Sequence, residues 1–157
     1  MQKIRPCLWF NDNAEEAVYF YESVFRNSKT VSVMRTPADG PQQAGSVLAA
    51  TFVIEGQEFI ALNGGPHFTF TPAISLFVTC QAQDEVDELW EKLCAGGAAQ
   101  RCGWVTDRFG VSWQIVPAVL GELMQDPDRA KAARVMQAML KMEKLDIATL
   151  RHAYDGS

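Results

Sequence analysis

Residues 74–93 read ISLFVTCQAQDEVDELWEKL, and the period of their apolar positions changes partway along. Ile74, Leu76 and Val78 alternate with Ser75, Phe77 and Thr79, the two-residue period of a strand with unlike faces. Val86, Leu89, Trp90 and Leu93 then recur at i, i+3, i+4 and i+7, a helical stripe that Gly96-Gly97 brings to an end. The same unit stands near the beginning of the chain. Ile4, Leu8 and Phe10 share one face of an extended run, with Arg5, Cys7 and Trp9 on the other. Asn11-Asp12-Asn13 offers capping side chains, and Ala17, Phe20, Tyr21 and Val24 repeat the helical stripe. Ile4 to Ile74 spans 70 positions, while Ala17 to Val86, Phe20 to Leu89, Tyr21 to Trp90 and Val24 to Leu93 span 69 each. The halves differ by one residue in the strand-to-helix connection, which is the mark of an internal duplication.

Three extended stretches complete the first half: Thr30 to Arg35, Ser46 to Ile54 and Glu58 to Asn63. Pro37-Ala38-Asp39-Gly40-Pro41 marks a loop between the first two, and Glu55-Gly56-Gln57 a tight turn between the second and third. The second half supplies a strand or loop around Arg101 to Thr106, a turn at Asp107-Arg108-Phe109-Gly110, and an extended run Val111 to Val116 that Pro117 stops. The last 40 residues change character. A short segment Ala118 to Met124 precedes Asp126-Pro127, read as a cap and a first-turn proline, and Ala132, Val135, Met136, Met139 and Leu140 follow at helical spacing. Asp146 caps one more helix through Ile147, Leu150 and Tyr154, with Gly156 after it. The predicted architecture is α+β: one domain over 1–157, with module one at 1–66, module two at 67–117 and a helical extension at 118–157.

The length suits this plan, since 157 residues is close to the ~150 of a typical domain. Hydrophobic residues make up 48% and charged residues 21%, a globular balance far from that of a disordered chain. Lys and Arg number 14 against 19 Asp and Glu, so the net charge is −5, and no basic run interrupts it. Neither nucleic acid nor an anionic membrane is an expected partner. The longest apolar stretch, Val47 to Ala50 and then Phe52 to Ile54 across Thr51, falls far short of the ~18 residues of a membrane span. Asn11, Asp12 and Asn13 follow too soon for a secretory apolar segment, so the expected location is cytoplasmic. Cys7, Cys80, Cys94 and Cys102 contain no C-x-x-C pair and read as reduced packing residues.

A duplicated strand-helix-strand-strand-strand unit of this size resembles the vicinal oxygen chelate superfamily of glyoxalases, bleomycin-binding proteins and ring-cleaving dioxygenases. More narrowly it resembles the PhnB-like branch. The residues that carry the likeness are Phe10 to Ala17 with Phe20-Tyr21, Leu62-Asn63-Gly64-Gly65-Pro66, Ser75 to Val78, Glu85-Val86-Asp87, Leu89 to Leu93 and Asp107 to Pro117. In the tail, Arg134-Val135-Met136 through Lys144-Leu145-Asp146-Ile147 extend it, so that it covers nearly the whole chain. The resemblance implies two βαβββ modules in a curled, mixed, mainly antiparallel sheet, and a homodimer. That branch often carries the name demethylubiquinone methyltransferase. Methyl transfer of the usual kind needs a glycine-rich turn between a strand and a helix, and here Gly64-Gly65-Pro66 leads through Phe68 and Phe70 to another strand, so that activity is not expected.

In the superfamily each half contributes inward-facing residues to a cup, where metal enzymes place His, Glu or Gln. Strand parity puts Ile4, Leu8, Phe10, Ile60, Leu62, Ile74, Leu76, Val78, Val111, Trp113 and Ile115 beneath the helices. Their opposites then face the cup. The positions that resemble the family's ligands fall near Arg5, near Ala61 or Asn63, at Ser75 and at Gln114, and only Gln114 is an ordinary ligand. An arginine, a serine and an amide do not offset a dication's lost hydration, so the expectation is a cup without metal and without any cofactor. His67 reads as a solvated loop residue and His152 lies in the tail.

What remains in the cup is aromatic and polar. Trp9, Phe59 and Phe77 form walls, Arg5, Asn63, Ser75, Ser112 and Gln114 offer hydrogen bonds, and Trp104 is either a lid or cover for the core edge. Arg5 favours an anionic ligand or else pairs with Asp107 or Glu58. Two readings stand side by side: a pocket for a small molecule of unknown identity, or a cup filled by its own side chains or by a partner subunit. The acidic pairs Glu15-Glu16, Asp84-Glu85 and Asp87-Glu88 serve the first turns of helices, Asp107 a turn, and Met136, Met139 and Met142 plastic packing, for which a second subunit is one candidate surface. The expected function is metal-independent binding of a small molecule; the alternative is a vicinal oxygen chelate enzyme of lyase, isomerase or dioxygenase type whose metal or base is not placed.

Overall fold

The first repeat folds as β1 (Cys7–Phe10), α1 (Ala14–Val24), β2 (Ser28–Arg35), β3 (Val47–Ile54) and β4 (Gln57–Asn63). The second folds as β5 (Leu76–Cys80), α2 (Gln83–Cys94), β6 (Ala98–Ala99), β7 (Trp104–Thr106) and β8 (Ser112–Pro117). Three helices follow: α3 (Ala118–Met124), α4 (Arg129–Met139) and α5 (Ile147–Asp155). This computed structural model describes residues 1–156, which divide into two compact units, Met1–Phe70 and the remainder from Thr71. Each repeat builds its own four-stranded sheet, in the order β1-β4-β3-β2 and β5-β8-β7-β6. In both sheets the first strand runs parallel to the last and the other pairs are antiparallel. The duplication read from spacing is therefore a duplication of topology.

In the first unit, β1 buries Leu8 and Phe10 and turns Cys7 and Trp9 the other way, while α1 buries Ala14, Ala17, Val18, Tyr21 and Val24. Tyr21 stacks on Phe52 at 6.1 Å, and Phe52 on Phe59 at 5.3 Å, so one column of rings runs from the helix into β3 and β4. That column overturns the expected parity of β4: Phe59, Ala61 and Asn63 are buried on the helix side, and Ile60 and Leu62 take the other face. The hairpin is the cause. Ile54 pairs with Gln57 across the two residues Glu55 and Gly56, both at positive φ (49° and 82°), which sets Phe59 opposite Phe52 and Ala61 opposite Ala50.

The strands β1 and β5 also begin later than their apolar patterns, so Ile4 (85% exposed) and Ile74 (67% exposed) lie outside them rather than beneath helices. The expected strand or loop around Arg101 to Thr106 is in part both: Trp104–Thr106 forms β7, which pairs with β6, and Gln100 to Gly103 is the tip of that hairpin.

In the second unit α2 buries Val86, Leu89 and Leu93 and packs on β7 and β8, where Val105, Trp113 and Ile115 form the covered face. Asp107 is buried and accepts hydrogen bonds from the backbone N–H of Phe109 and Val111 and from Trp113 Nε1 at 2.9–3.0 Å. It fixes the turn and anchors the tryptophan.

The tail has a core of its own: Val116, Leu120, Leu123, Val135, Leu145 and Leu150. Val135, Leu145 and Leu150 have no exposed surface, and each such burial stabilises by about 1.5–3 kcal/mol relative to exposure. Met139 and Met142 pack against this cluster, so the methionine stripe is largely used within the chain, with Met136 left 43% exposed. Asp128, not Asp126, caps α4, accepting from the N–H of Ala130 and Lys131. Asp126 instead receives the Tyr154 hydroxyl at 2.5 Å and the Asp128 N–H at 2.7 Å. Asp146 caps α5 through Thr149 and Gly156 ends it at φ 82°, as its sequence implies.

Candidate functional site

Each sheet has one face under its helix and one face away from it, and the residues expected to line a site are traced on the second. On the first sheet the register puts Cys7, Trp9, Ile60, Leu62, Ala49 and Thr51 on the face away from α1. Trp9 therefore faces as expected, but its polar atom is already engaged: Nε1 donates to the Gly65 carbonyl at 2.9 Å, and Phe68 meets the ring edge-on at 4.9 Å. The close approach requires glycine at 64, because a Cβ there would lie 2.4 Å from the indole. The loop after β4 thus packs on Trp9, a role for Gly64 and Phe68 that the glycine pair followed by aromatics signals only in hindsight.

Two expected lining residues turn away from that face. Phe59 belongs to the buried ring column, and Asn63 lies under α1, where Oδ1 accepts from the Ala14 N–H and Nδ2 donates to the Val47 carbonyl, both at 2.9 Å. Asn63 supplies the cap that α1 lacks locally, since Asn13 makes no side-chain cap bond. Arg5 precedes β1 and reaches Glu58 at 3.8 Å, one of its two expected partners.

The second sheet brings its expected residues together. Phe77, Gln114 and Trp104 stand directly opposite one another across β5, β8 and β7, on the face away from α2. Ser75 joins the row by accepting a 3.0 Å hydrogen bond from Gln114 Nε2. Ser112 shares this parity at the start of β8 and is 4% exposed. Phe77 is 58% exposed, a large apolar surface beside a polar one. Among the described residues, neither Gln114 Oε1 nor Trp104 Nε1 has a protein partner, so the row carries one open acceptor and one open donor along with the rings of Phe77 and Trp104, the mixture found in small-molecule sites.

Burial works against the thiolate form at three of the four cysteines. All four cysteines are free; burial, then the Glu85 charge, pushes Cys80 up to about 12, and burial raises Cys7 and, with Glu143, Cys94. His67 and His152 are both exposed, in the loop after β4 and on α5.

A divalent metal does not suit the residues at the four positions that resemble the superfamily's ligands. Asn63 and Ala61 lie under α1, Arg5 is a cation paired with Glu58, and the Gln114 amide is bonded to Ser75. Among the described residues no three of His, Cys, Asp and Glu gather in a metal-holding group. The residues present do not fit such an ion.

A βαβββ repeat used twice, each sheet with its first strand parallel to its last and one helix on one face, defines a glyoxalase/bleomycin resistance fold of the vicinal oxygen chelate class. The chain belongs to the PhnB-like family described as 3-demethylubiquinone-9 3-methyltransferase, which matches residues 2–116. A Bacillus cereus PhnB protein described by the same name is 42% identical, with TM-score 0.69, over 74% of this chain and all of that one. A Pseudomonas aeruginosa protein is 24% identical, with TM-score 0.61, over 74% of this chain and 98% of that one. The fosfomycin resistance protein FosX of Listeria monocytogenes, solved with Mn(II) and sulfate, shares the fold at 15% identity and TM-score 0.52, over 74% and 91%. No curated protein matches the chain. The family match ends at residue 116, so the helical tail lies outside it, and the likeness drawn over residues 134–147 is not part of the match.

Proposed function

We propose that this protein binds a small aromatic compound, without a metal, on the face of its second sheet that points away from α2. The row Phe77, Gln114 and Trp104 carries this reading: rings on either side of an amide whose carbonyl is unspent, beside an indole N–H that is also unspent. A ligand that stacks on the rings and exchanges one hydrogen bond with each polar group satisfies atoms the fold leaves open. The first sheet serves mainly as structure, because its tryptophan and asparagine are committed to the protein itself. Methyl transfer has no support in the backbone: the turns from β1 to α1 (Asn11-Asp12-Asn13) and from β5 to α2 (Gln81-Ala82) contain no glycine to let a nucleotide cofactor approach. A homodimer, which the family resemblance implies, and a cytoplasmic location, expected from the sequence, complete the proposal; sedimentation equilibrium reads the first.

Thermal shift on the intact protein tests the binding. Benzoate, salicylate and naphthoate are compared with Mn(II), Ni(II) and Zn(II), since a ligand selective for the folded state raises its melting temperature. The expected result is stabilisation by at least one aromatic acid that Gln114→Ala and Trp104→Phe abolish. Stabilisation by a divalent ion alone, or an aromatic shift indifferent to both substitutions, overturns it.

A further inference from the structure

The chain carries some forty residues past the end of the family match, and the structure shows where they attach. The tip of the β6–β7 hairpin holds two consecutive residues at positive φ, Cys102 (60°) and Gly103 (83°), directly before Trp104. Both of their N–H groups donate to the tail: Cys102 to the Met142 carbonyl at 2.9 Å and Gly103 to the Glu143 carbonyl at 2.8 Å. A left-handed conformation is unfavourable for a non-glycine residue and persists where surrounding contacts over-determine it. Here those contacts come from the connection between α4 and α5. A Cβ on Gly103 would meet Leu145 at 3.0 Å and the Ile115 carbonyl at 2.8 Å, so the fully buried Leu145 lies hard against the tip.

The same connection is tied to α2. Gln83 Nε2 donates to the Leu145 carbonyl at 3.0 Å, its Oε1 accepts from the Ile147 N–H at 2.7 Å, and Lys144 pairs with Asp87 at 2.9 Å. Val116 stands two residues beyond Gln114 on the same face of β8 and is buried in the tail's core. Along a strand that is one step of about 7 Å.

We propose that the helical tail is the brace and end wall of the second module's recognition surface: it fixes Trp104 beside Gln114 and closes that surface at Val116. Its bearing on ligand choice rests on the binding reading above, but the brace itself does not. The tail thus sets the length of compound the row admits, a determinant that relatives ending where the family match ends do not share.

Native-state hydrogen exchange on the full chain, in rising urea, tests the brace with no compound added. The Cys102 and Gly103 amides are expected to open in the same step as those of α5, because tip and tail are one unit. Protection of the two tip amides that outlasts the opening of α5 overturns the proposal. In the variant Q83A/K144A, the same two amides are expected to exchange about tenfold faster, and the fluorotryptophan resonance assigned through Trp104→Phe to move, while Lys144→Arg with Gln83 intact leaves both as in the parent. Unchanged Trp104 resonance with a loosened α5 also overturns it. Failure of every aromatic acid to bind defeats the binding reading without touching these readouts.

Discussion

Asn63 shows how much one side chain does when it is placed between elements. Its amide uses both ends in a buried position, an acceptor for the first N–H of α1 and a donor to β3. Replacing it with alanine leaves two buried backbone groups unpaired, at a cost of about 1–3 kcal/mol. Asn63→Ala is therefore expected to lower the urea midpoint markedly with an unchanged slope, measured by circular dichroism. Sequence placed this residue in the cup because Phe59, Ile60, Ala61 and Leu62 are all apolar, so β4 has no alternation from which to read a face. The information was present one turn earlier. A two-residue hairpin at Glu55-Gly56 forces Phe59 to share the side of Phe52, whereas a three-residue turn reverses it.

The tail is held in part by carboxylates, and that makes it sensitive to acid. Asp87 is kept below its ordinary 3.8 first by the hydrogen bond from Lys144 and then by that from Gln83. Asp126 is kept below the same value first by the Tyr154 hydroxyl and then by the Asp128 N–H. A carboxylate with a depressed folded-state pKa contributes stability that is complete above its unfolded value and is lost as pH falls through the folded one. Tyr154 is raised above 10, Asp126 being the main cause, so its contribution is complete below that value and is lost as pH rises through the folded one. The tail is expected to loosen below about pH 4, and D87N/D126N to flatten that acid limb in urea midpoints taken at each pH. A limb as steep in the variant as in the parent would show that other groups control it. The helices themselves were legible from their spacing and caps, including Asp146 and Gly156 at the two ends of α5. Attachment was not legible, since it runs through the backbone of Cys102, Gly103, Met142 and Glu143, where side-chain type carries no signal.

Across the whole chain, two copies of one topology have taken different employment. The first unit spends the Trp9 donor on its own loop, while the second leaves the Trp104 donor open. Trp9→Phe is expected to lower the melting temperature and leave binding of an aromatic acid intact; Trp104→Phe is expected to keep stability within about 0.5 kcal/mol and remove that binding. Equal effects of both on binding would argue against a divided role. The overall plan was readable because the 69-residue recurrence of helical stripes survives divergence of almost every side chain in it. The difference in employment was not, because it depends on which polar atoms find partners.

The amide that caps α1 comes from position 63, so α1 leaves the ribosome with its first N–H bare and stays so until the whole of β4 has emerged. A one-residue slip of β4 against β1 would carry that amide to the wrong side of the sheet. Synthesis of the first module thus ends with a built-in register check: the nascent helix is completed only by a correctly threaded last strand.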